Sequence, residues 1–130
     1  RAARGVPGGL RDEADRIGEG SRAICFSKRT LEVWDRMGVG QRVVDKGVTW
    51  QIGKVFLEDD LVYQFDLLPE DGHRMPAFVN LQQYYAEHFL VERALELDGI
   101  DLLWLNRVVA VEPHDDGLLV SRDTHAAPSR

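Results

Sequence analysis

The chain has one cysteine, no long apolar run and no excess of positive charge, and each of these absences excludes a class of protein. Cys25 has no second cysteine to pair with, which excludes a scaffold held by internal disulfides. No apolar run approaches the roughly 18 residues that a membrane-spanning helix needs. The net charge is -6 with a pI near 5.1, so nucleic acid and anionic membranes are poor partner choices.

Several motifs that carry chemistry are also missing. The four histidines are His73, His88, His114 and His125. They are isolated from one another and from Cys25, so no metal-ligand spacing exists and we predict no metal site. There is no P-loop, no G-x-S-x-G elbow and no C-x-x-C motif. Gly18 to Ala23 spells G-x-G-x-x-A, but no predicted strand precedes it and no helix begins at Gly20, so we interpret it as a loop.

The length and composition of the chain indicate a globular domain with one hydrophobic core. A chain of 130 residues with 44% hydrophobic residues can bury about two-thirds of its unfolded surface, which favours a single domain. The first residues, Arg1 to Gly5, lack the apolar middle region of a signal peptide and have the pattern of a helix end. We therefore expect a cytoplasmic protein.

The most informative stretch runs from Glu19 to Gly38. It begins as a glycine-rich loop carrying Arg22 and continues through a short apolar run, Ile24 to Phe26. A helix should follow, with Ser27 as its N-cap and Gly38 as its left-handed end. The predicted apolar stripe of this helix consists of Thr30, Val33, Trp34 and Met37.

Two cations stand in the first turn of this helix, where the helix dipole disfavours positive charge. Lys28 and Arg29, together with Arg22, would suit an anionic ligand such as a pyrophosphate. The alternative is a solvated basic edge without a ligand. The residues alone favour the solvated edge.

A second helix is predicted after Phe78. Asn80 suits the N-cap, and an apolar series at helical spacing follows: Ala86, Phe89, Leu90, Ala94 and Leu97. Gln83 lies at the margin of that stripe, where its amide needs a hydrogen-bond partner. Asn80 with Gln83 three residues later forms a capping-box arrangement, so that partner can be the helix itself.

The remaining segments are predicted as strands, turns and loops. Gln41 to Gly47 is a connector, Val48–Leu57 and Leu61–Asp66 form a hairpin, and Leu67 to Pro76 is a loop. A strand over Ile100–Leu105 precedes a meander from Val108 that turns at Asp115–Gly117. The tail from Asp123 to Arg130 is polar.

The segment from Gly20 to Val33, with Met37–Gly40 after it, resembles the region after the second strand of the FAD-dependent aromatic hydroxylases. These single-component flavin monooxygenases are related to p-hydroxybenzoate, hydroxyphenylpropionate and polyketide hydroxylases. A second match is Gln83, with Glu87 four residues later and Leu90 seven residues later. The likeness runs from about Val6 to Val120 and covers most of this chain but a minor part of the family's chain.

The resemblance implies an α/β fold, an incomplete Rossmann-like FAD-binding domain with two helices, a parallel strand and antiparallel hairpins. Residues 1–47 would be a remnant of the dinucleotide-binding unit and 48–77 the substrate-side hairpin and loop. Residues 78–122 would hold the helix, strand and meander, and 123–130 the tail. Val6 to Asp12 would occupy the place of the second strand, although Gly8, Gly9 and Arg11 are poor strand-interior residues.

The resemblance also implies roles for four residues. Arg22 would hold the flavin's phosphate or ribityl side, with Arg29 more loosely in the same region. Gln83 would hydrogen-bond the ribityl chain, with Gln82 as the neighbour that could replace it. Asp12 would bind the adenosine ribose.

The implied reaction is hydroxylation of a phenolic ring by FAD and NAD(P)H through a flavin hydroperoxide. The flavin carries that chemistry, so no residue of this chain is predicted to be catalytic. The expected partner is a small aromatic substrate. Trp50, Tyr63 and Phe65 could line its pocket, although packing within the hairpin is the more ordinary role for them.

Three possibilities stay open at this point. The chain can be a fragment of such an enzyme, or a catalytically inactive α/β remnant that self-associates, for example as a homodimer that covers its sheet edge. It can also be a subunit that completes its flavin site with a second polypeptide.

Overall fold

The computed structural model describes residues 6–20 and 22–124, and over these residues it contains three helices and nine strands. In chain order these are β1 (Gly8–Arg11), β2 (Cys25–Ser27), α1 (Lys28–Arg36), α2 (Gly40–Lys46), β3 (Val48–Trp50), β4 (Ile52–Leu57), β5 (Asp60–Asp66), β6 (Phe78–Asn80), α3 (Gln83–Leu95), β7 (Ile100–Leu103), β8 (Asn106–His114) and β9 (Gly117–Thr124). The predicted α/β class is therefore confirmed. The predicted helix end at Arg1–Gly5 and most of the predicted tail lie outside the described residues.

The chain divides into two compact units. One comprises residues 20–93, here called the central unit. The other joins residues 1–19 to residues 94–130, and is called the terminal unit; its described parts are 6–19 and 94–124. No helix in the described part of the chain is long and apolar enough to cross a membrane.

The core of the central unit lies between its helices and a three-stranded antiparallel sheet ordered β2-β6-β3. The buried side chains that pack together are Leu31, Val39, Val43, Met75, Val79, Leu81 and Ala86. Val79 stands at the middle of the central strand β6 and is fully buried. Apolar burial of this kind contributes roughly 1.5–3 kcal/mol for each large side chain.

Helix α1 begins after Ser27 and ends before Gly38, as predicted, but only part of the predicted apolar stripe faces the core. Leu31 is fully buried, whereas Val33 and Met37 of the predicted stripe are 41% and 42% exposed. Gly38 has φ +83°, the left-handed conformation expected after a helix. The predicted stripe was therefore only partly right. Trp34 packs against the core, but tertiary packing turned the helix so that Leu31 is buried in place of Val33 and Met37.

The predicted connector over Gln41–Gly47 is wrong, because this segment forms the seven-residue helix α2. Val43 is fully buried, and the Gln41 amide donates to the Asp45 carboxylate over 2.8 Å along the helix. Gly40 permits the tight approach to α1, since a Cβ there would lie 2.6 Å from the backbone nitrogen of Asp35.

The predicted N-cap at Asn80 is also wrong, because Phe78–Asn80 forms the strand β6 and α3 begins at Gln83. The side-chain oxygen of Asn80 accepts a hydrogen bond from Trp50 Nε1 at 2.9 Å, across the β3–β6 pair. The predicted capping box between Asn80 and Gln83 is therefore absent.

The predicted hairpin is confirmed as β4 and β5, which pair antiparallel with an irregularity between Val55 and Phe56. The first predicted strand is divided, because β3 ends at Trp50 and β4 begins at Ile52. Phe65 lies across Gly53, where a Cβ would stand 2.0 Å from the ring carbon Cζ. Both faces of the hairpin expose apolar side chains: Ile52, Val55, Phe56, Leu57, Leu61, Val62 and Tyr63.

The terminal unit contains a parallel pair and a hairpin. β1 pairs parallel with β7 in the register Gly8 to Ile100 through Arg11 to Leu103, so a strand does form at the glycine-rich segment. β8 and β9 pair antiparallel and turn at Asp115–Gly117, as predicted. Asn106, at the start of β8, is polar and buried, and no other polar residue of the described part is buried.

Candidate functional site

Arg22 lies on an exposed loop that leads directly into the central sheet. Gly20 has φ +104°, which favours glycine, and the chain regains regular structure at Cys25. Just before β2, the carbonyl of Ile24 accepts a hydrogen bond from the backbone N–H of Leu81 at 2.8 Å. One end of the loop is therefore anchored to the segment that precedes α3.

Gln83 is the first residue of α3 and reaches the backbone of the Arg22 loop. Its Oε1 accepts hydrogen bonds from the backbone N–H groups of Arg22 at 3.1 Å and Ala23 at 3.0 Å. Its Nε2 donates to the Glu87 carboxylate at 2.5 Å, one helical turn further on. The structure thus brings together Arg22 and Gln83, which stand 61 residues apart in the sequence.

The cations of the first turn of α1 are neutralised by their own helix. Lys28 forms an ion pair with Glu32, and Arg29 Nη1 lies 3.5 Å from the other carboxylate oxygen of Glu32. The hydrogen bond from Lys28, with a smaller one from Arg29, lowers the pKa of the Glu32 carboxyl. This i,i+4 and i,i+3 spacing is visible in the sequence and could have identified Glu32 as the partner.

The other N-terminal groups of α1 are only partly capped. Ser27 has the extended backbone of an N-cap, but its side chain makes no capping hydrogen bond and instead lies 3.4 Å from the Thr30 hydroxyl. The Lys28 N–H donates to the carbonyl of Ala77 at 2.8 Å. The helix N-terminus is thus partly satisfied by the protein itself.

Arg22 differs from these cations in its electrostatic surroundings. It is exposed, and within residues 6–20 and 22–124 the structure records no ion pair for its guanidinium. Arg29 is also exposed, at 72% of its side chain, but it shares Glu32 with Lys28. Because Gln83 fixes its backbone and no described carboxylate pairs with its guanidinium, Arg22 is the better candidate for binding an anion.

Asp12 belongs to the terminal unit and stands immediately after β1. Its carboxylate accepts the backbone N–H of Ala14 at 2.9 Å, which closes a turn after the strand. Its own N–H donates to Leu103 at 3.1 Å, and its carbonyl accepts the N–H of Asn106 at 2.8 Å. The position of Asp12 is therefore well determined by the β1–β7 pair and the start of β8.

Asn106 supports this corner and was not identified from the sequence. Its side-chain amide donates to the carbonyl of Trp104 at 2.7 Å, and its Oδ1 accepts from the Arg122 guanidinium. Leu105 beside it has φ +56° and donates its N–H to Ala14 at 2.9 Å. An asparagine at a strand start gives no sequence signal that distinguishes it from a turn residue.

The three aromatic candidates lie in two places. Trp50 stacks on Phe78, with ring centroids 5.1 Å apart and planes at 20°. Tyr63 and Phe65 share the exposed hairpin, with ring centroids 5.8 Å apart. All three make contacts within the central unit.

A charged contact joins α2 to α3 in the central unit. Arg42 forms an ion pair with Glu92, and its guanidinium lies 4.5 Å from the centroid of the Phe89 ring. His88 Nε2 lies 3.1 Å from the other oxygen of Glu92. The hydrogen bond from Arg42 and the nearby His88 lower the pKa of the Glu92 carboxyl.

Metal-binding side chains are not clustered in the described part of the chain. No cluster of three or more histidine, cysteine or acidic side chains there could hold a metal ion. Cys25 is an exposed free thiol, and His88 is a surface residue, as predicted. The candidate site is therefore the loop of Arg22 with Gln83, where the exposed guanidinium is the candidate contact for an anion.

Comparison with known proteins gives a family and a fold. The family model described as FAD binding domain matches residues 5–126. No curated protein sequence matches the chain.

Several solved structures of monooxygenases share the fold. p-Nitrophenol 4-monooxygenase PnpA from Pseudomonas putida DLL-E4 is 18% identical with a TM-score of 0.78, over 95% of this chain and 34% of PnpA. The flavin-dependent monooxygenase PieE, solved with FAD and substrate, is 20% identical with a TM-score of 0.73, over 92% of this chain and 23% of PieE. PqsL from P. aeruginosa, solved with 2-aminobenzoylacetate, is 15% identical with a TM-score of 0.74, over 89% of this chain and 31% of PqsL. The chain thus spans about a quarter to a third of each of these proteins.

Proposed function

The chain belongs to the FAD-binding domain family, and from this membership we propose that it is part of an FAD-dependent monooxygenase that hydroxylates a phenolic or other aromatic substrate. The fold shared with PnpA, PieE and PqsL supports this activity. Within this domain, the observation that carries the proposal is the exposed guanidinium of Arg22. Gln83 fixes the backbone of Arg22 by accepting two of the loop's N–H groups. We also propose that NAD(P)H is the reductant and that the protein is cytoplasmic.

The residues of the chain would bind and orient the cofactor. Arg22 supplies a guanidinium to the phosphate or ribityl side of FAD, and charge-assisted hydrogen bonds of this type are about twice as strong as neutral ones. Gln83 would hold the backbone of Arg22 beside the ribityl chain, and Arg29 would act more weakly because Glu32 already shares its charge. Asp12 offers a carboxylate acceptor to the adenosine ribose hydroxyls.

When bound, FAD would supply the oxygen-transfer chemistry, with NAD(P)H as the proposed source of electrons. The protein's own part is to hold the cofactor and keep the reacting region dry, so we assign no catalytic acid, base or nucleophile to this chain. The aromatic side chains of β4–β5 and Trp50 are the candidates for contact with a planar substrate.

The test is a titration of the purified chain with FAD, followed by the quenching of flavin fluorescence. Arg22→Ala should weaken FAD binding by at least about tenfold, because a hydrogen bond to a charged group contributes roughly 1.5–3 kcal/mol. Arg36→Ala is the matched control, since Arg36 is an exposed cation of the same unit and should leave affinity within about twofold. Equal affinity of Arg22→Ala and the wild type would remove Arg22 from the site.

The exposed apolar hairpin supports a second candidate, a self-associating module without catalysis. Leu57 is 70% exposed and Val62 is 63% exposed, on opposite strands of β4–β5. Exposed apolar strands of this kind are common at interfaces between subunits. A colourless dimer in light-scattering measurements, unchanged by added FAD, would favour this candidate, whereas a yellow monomer would favour the first.

A further inference from the structure

The Gln83 side chain bonds to protein groups at both of its polar ends. The oxygen receives two consecutive backbone N–H groups, from Arg22 and Ala23, at 3.1 and 3.0 Å. The nitrogen donates to Glu87 at 2.5 Å. Two successive N–H groups that point at one acceptor form a concave backbone arrangement of the kind that otherwise binds anions.

The two ends of this contact differ in rigidity. Gln83 and Glu87 stand one turn apart on α3, whose Ala86 is buried in the core. The loop that carries Arg22 contains Gly18 and Gly20, and its described residues up to Cys25 are exposed to solvent. The ordered helix α3 therefore supports an exposed loop through Gln83, beside the anchor between Ile24 and Leu81.

We infer that Gln83 is a positioning residue: with Glu87 it fixes the backbone of Arg22 and Ala23 and thereby presents the Arg22 guanidinium to the ligand. The statement about the backbone stands on the contacts alone, and its consequence for FAD rests on the proposed function. Glu87 acts by orienting the carboxamide, so that its oxygen and not its nitrogen faces the loop.

The first test observes the loop without any ligand. In the 15N-labelled chain, the amide protons of Arg22 and Ala23 should exchange with solvent more slowly than those of exposed loop residues. Gln83→Ala should raise both exchange rates at least about fivefold, because each amide loses its acceptor. Gln82→Ala is the matched control, since Gln82 is the exposed neighbour and should leave both rates unchanged.

A pair of reciprocal substitutions separates hydrogen bonding from side-chain bulk. Gln83→Glu alone places two carboxylates in contact and should release the loop. In Gln83→Glu combined with Glu87→Gln, the carboxylate at position 83 accepts from the loop N–H groups. The carboxamide at position 87 donates to that carboxylate, and the net charge is unchanged. The combined variant should therefore recover wild-type exchange rates, and Glu87→Gln alone should stay close to wild type because it keeps an acceptor oxygen.

The second test measures FAD affinity in a double-mutant cycle. If Gln83 acts through Arg22, then Gln83→Ala should weaken FAD binding about three- to tenfold. The double variant Arg22→Ala/Gln83→Ala should then bind no more weakly than Arg22→Ala. A direct ribityl contact predicts instead that the two losses multiply.

The outcomes distinguish the inference from the proposed function. Unchanged exchange at Arg22 and Ala23 in Gln83→Ala, or multiplied losses in the cycle, would overturn the positioning role. If the wild-type chain does not bind FAD, the proposed role of the chain in binding FAD is wrong. The exchange experiment still decides whether Gln83 fixes the loop backbone. Circular dichroism checks that each variant is folded. If Gln83→Ala does not fold, the comparison of Gln83→Glu with the combined variant, which retains both contacts, takes its place.

Discussion

Gly47→Ala is expected to destabilise the central unit because no space exists for one additional methyl group. Gly47 follows α2, and a Cβ at this position would lie 2.2 Å from Cγ1 of Val79 and 2.8 Å from the carbonyl oxygen of Asn80. The carbonyl oxygen of Val43, which already accepts the Gly47 N–H, would be 3.1 Å away. Two of these neighbours are backbone atoms that cannot rotate aside.

The magnitude follows from two opposing terms. Overpacking of a filled core costs about 1–3 kcal/mol. Replacing glycine by alanine returns about 0.4–1 kcal/mol through the lower entropy of the unfolded chain. We expect a net loss of about 1–2 kcal/mol, which for a chain of this length lowers Tm by roughly 3–10 °C.

The assay is urea and thermal denaturation followed by circular dichroism and by fluorescence of Trp34 and Trp50, which lie in the central unit. Gly8→Ala is the control, since a Cβ there meets nothing within 4 Å and stability should stay level or rise. In Gly47→Ala combined with Val79→Ala, the nearest clash is removed, so the combined loss should fall short of the summed losses by at least about 0.5 kcal/mol. Wild-type stability of Gly47→Ala, or strict additivity in the pair, would refute the packing argument.

Three further expectations concern burial and charge. Leu31→Ala removes a fully buried side chain and should cost about 2–5 kcal/mol in urea denaturation, whereas the exposed Val33→Ala should cost less than about 0.5 kcal/mol. Arg42 lowers the pKa of the Glu92 carboxyl in the folded state, so the stabilising effect of Glu92 is present above its unfolded pKa of about 4.3 and is lost as pH falls through the folded pKa. The difference in Tm between wild type and Glu92→Gln should therefore narrow below about pH 4. A difference that stays constant with pH would contradict this expectation. Asn106→Ala leaves a carbonyl and a guanidinium without their partner and should cost about 1–3 kcal/mol, which equal midpoints in urea would disprove.

Sequence reasoning predicted best where local signals agreed with tertiary packing. The α/β class and α1 between Ser27 and Gly38 were predicted correctly, as was the hairpin that turns at Asp115–Gly117. The helix has local signals in its cap residue and its left-handed glycine, and the hairpin has one in its turn tripeptide. The spatial neighbourhood of Arg22 and Gln83 followed instead from the family resemblance, because nothing local joins residues 61 positions apart.

The errors arose where tertiary contacts overrode local preference. Asn80 is a good N-cap by residue type, but β6 pairs with two strands and its side chain accepts from Trp50. Residues 41–47 were predicted as a connector. Two adjacent valines and a length of seven residues give this segment little helix preference of its own, yet burial of Val43 stabilises α2. Three helices therefore replace the predicted two. The roles of Arg22, Arg29, Gln83 and Asp12 toward FAD remain predictions.

The parallel pairing of β1 with β7 has a consequence for synthesis of the chain on the ribosome. Gly8 pairs with Ile100, so the contact closes a loop of about 90 residues and raises the contact order of the terminal unit. The central unit is continuous from residue 20 to residue 93 and needs no later residue for its core. It can therefore complete its core while the nascent chain is still growing, whereas β1 must wait for β7 to leave the exit tunnel.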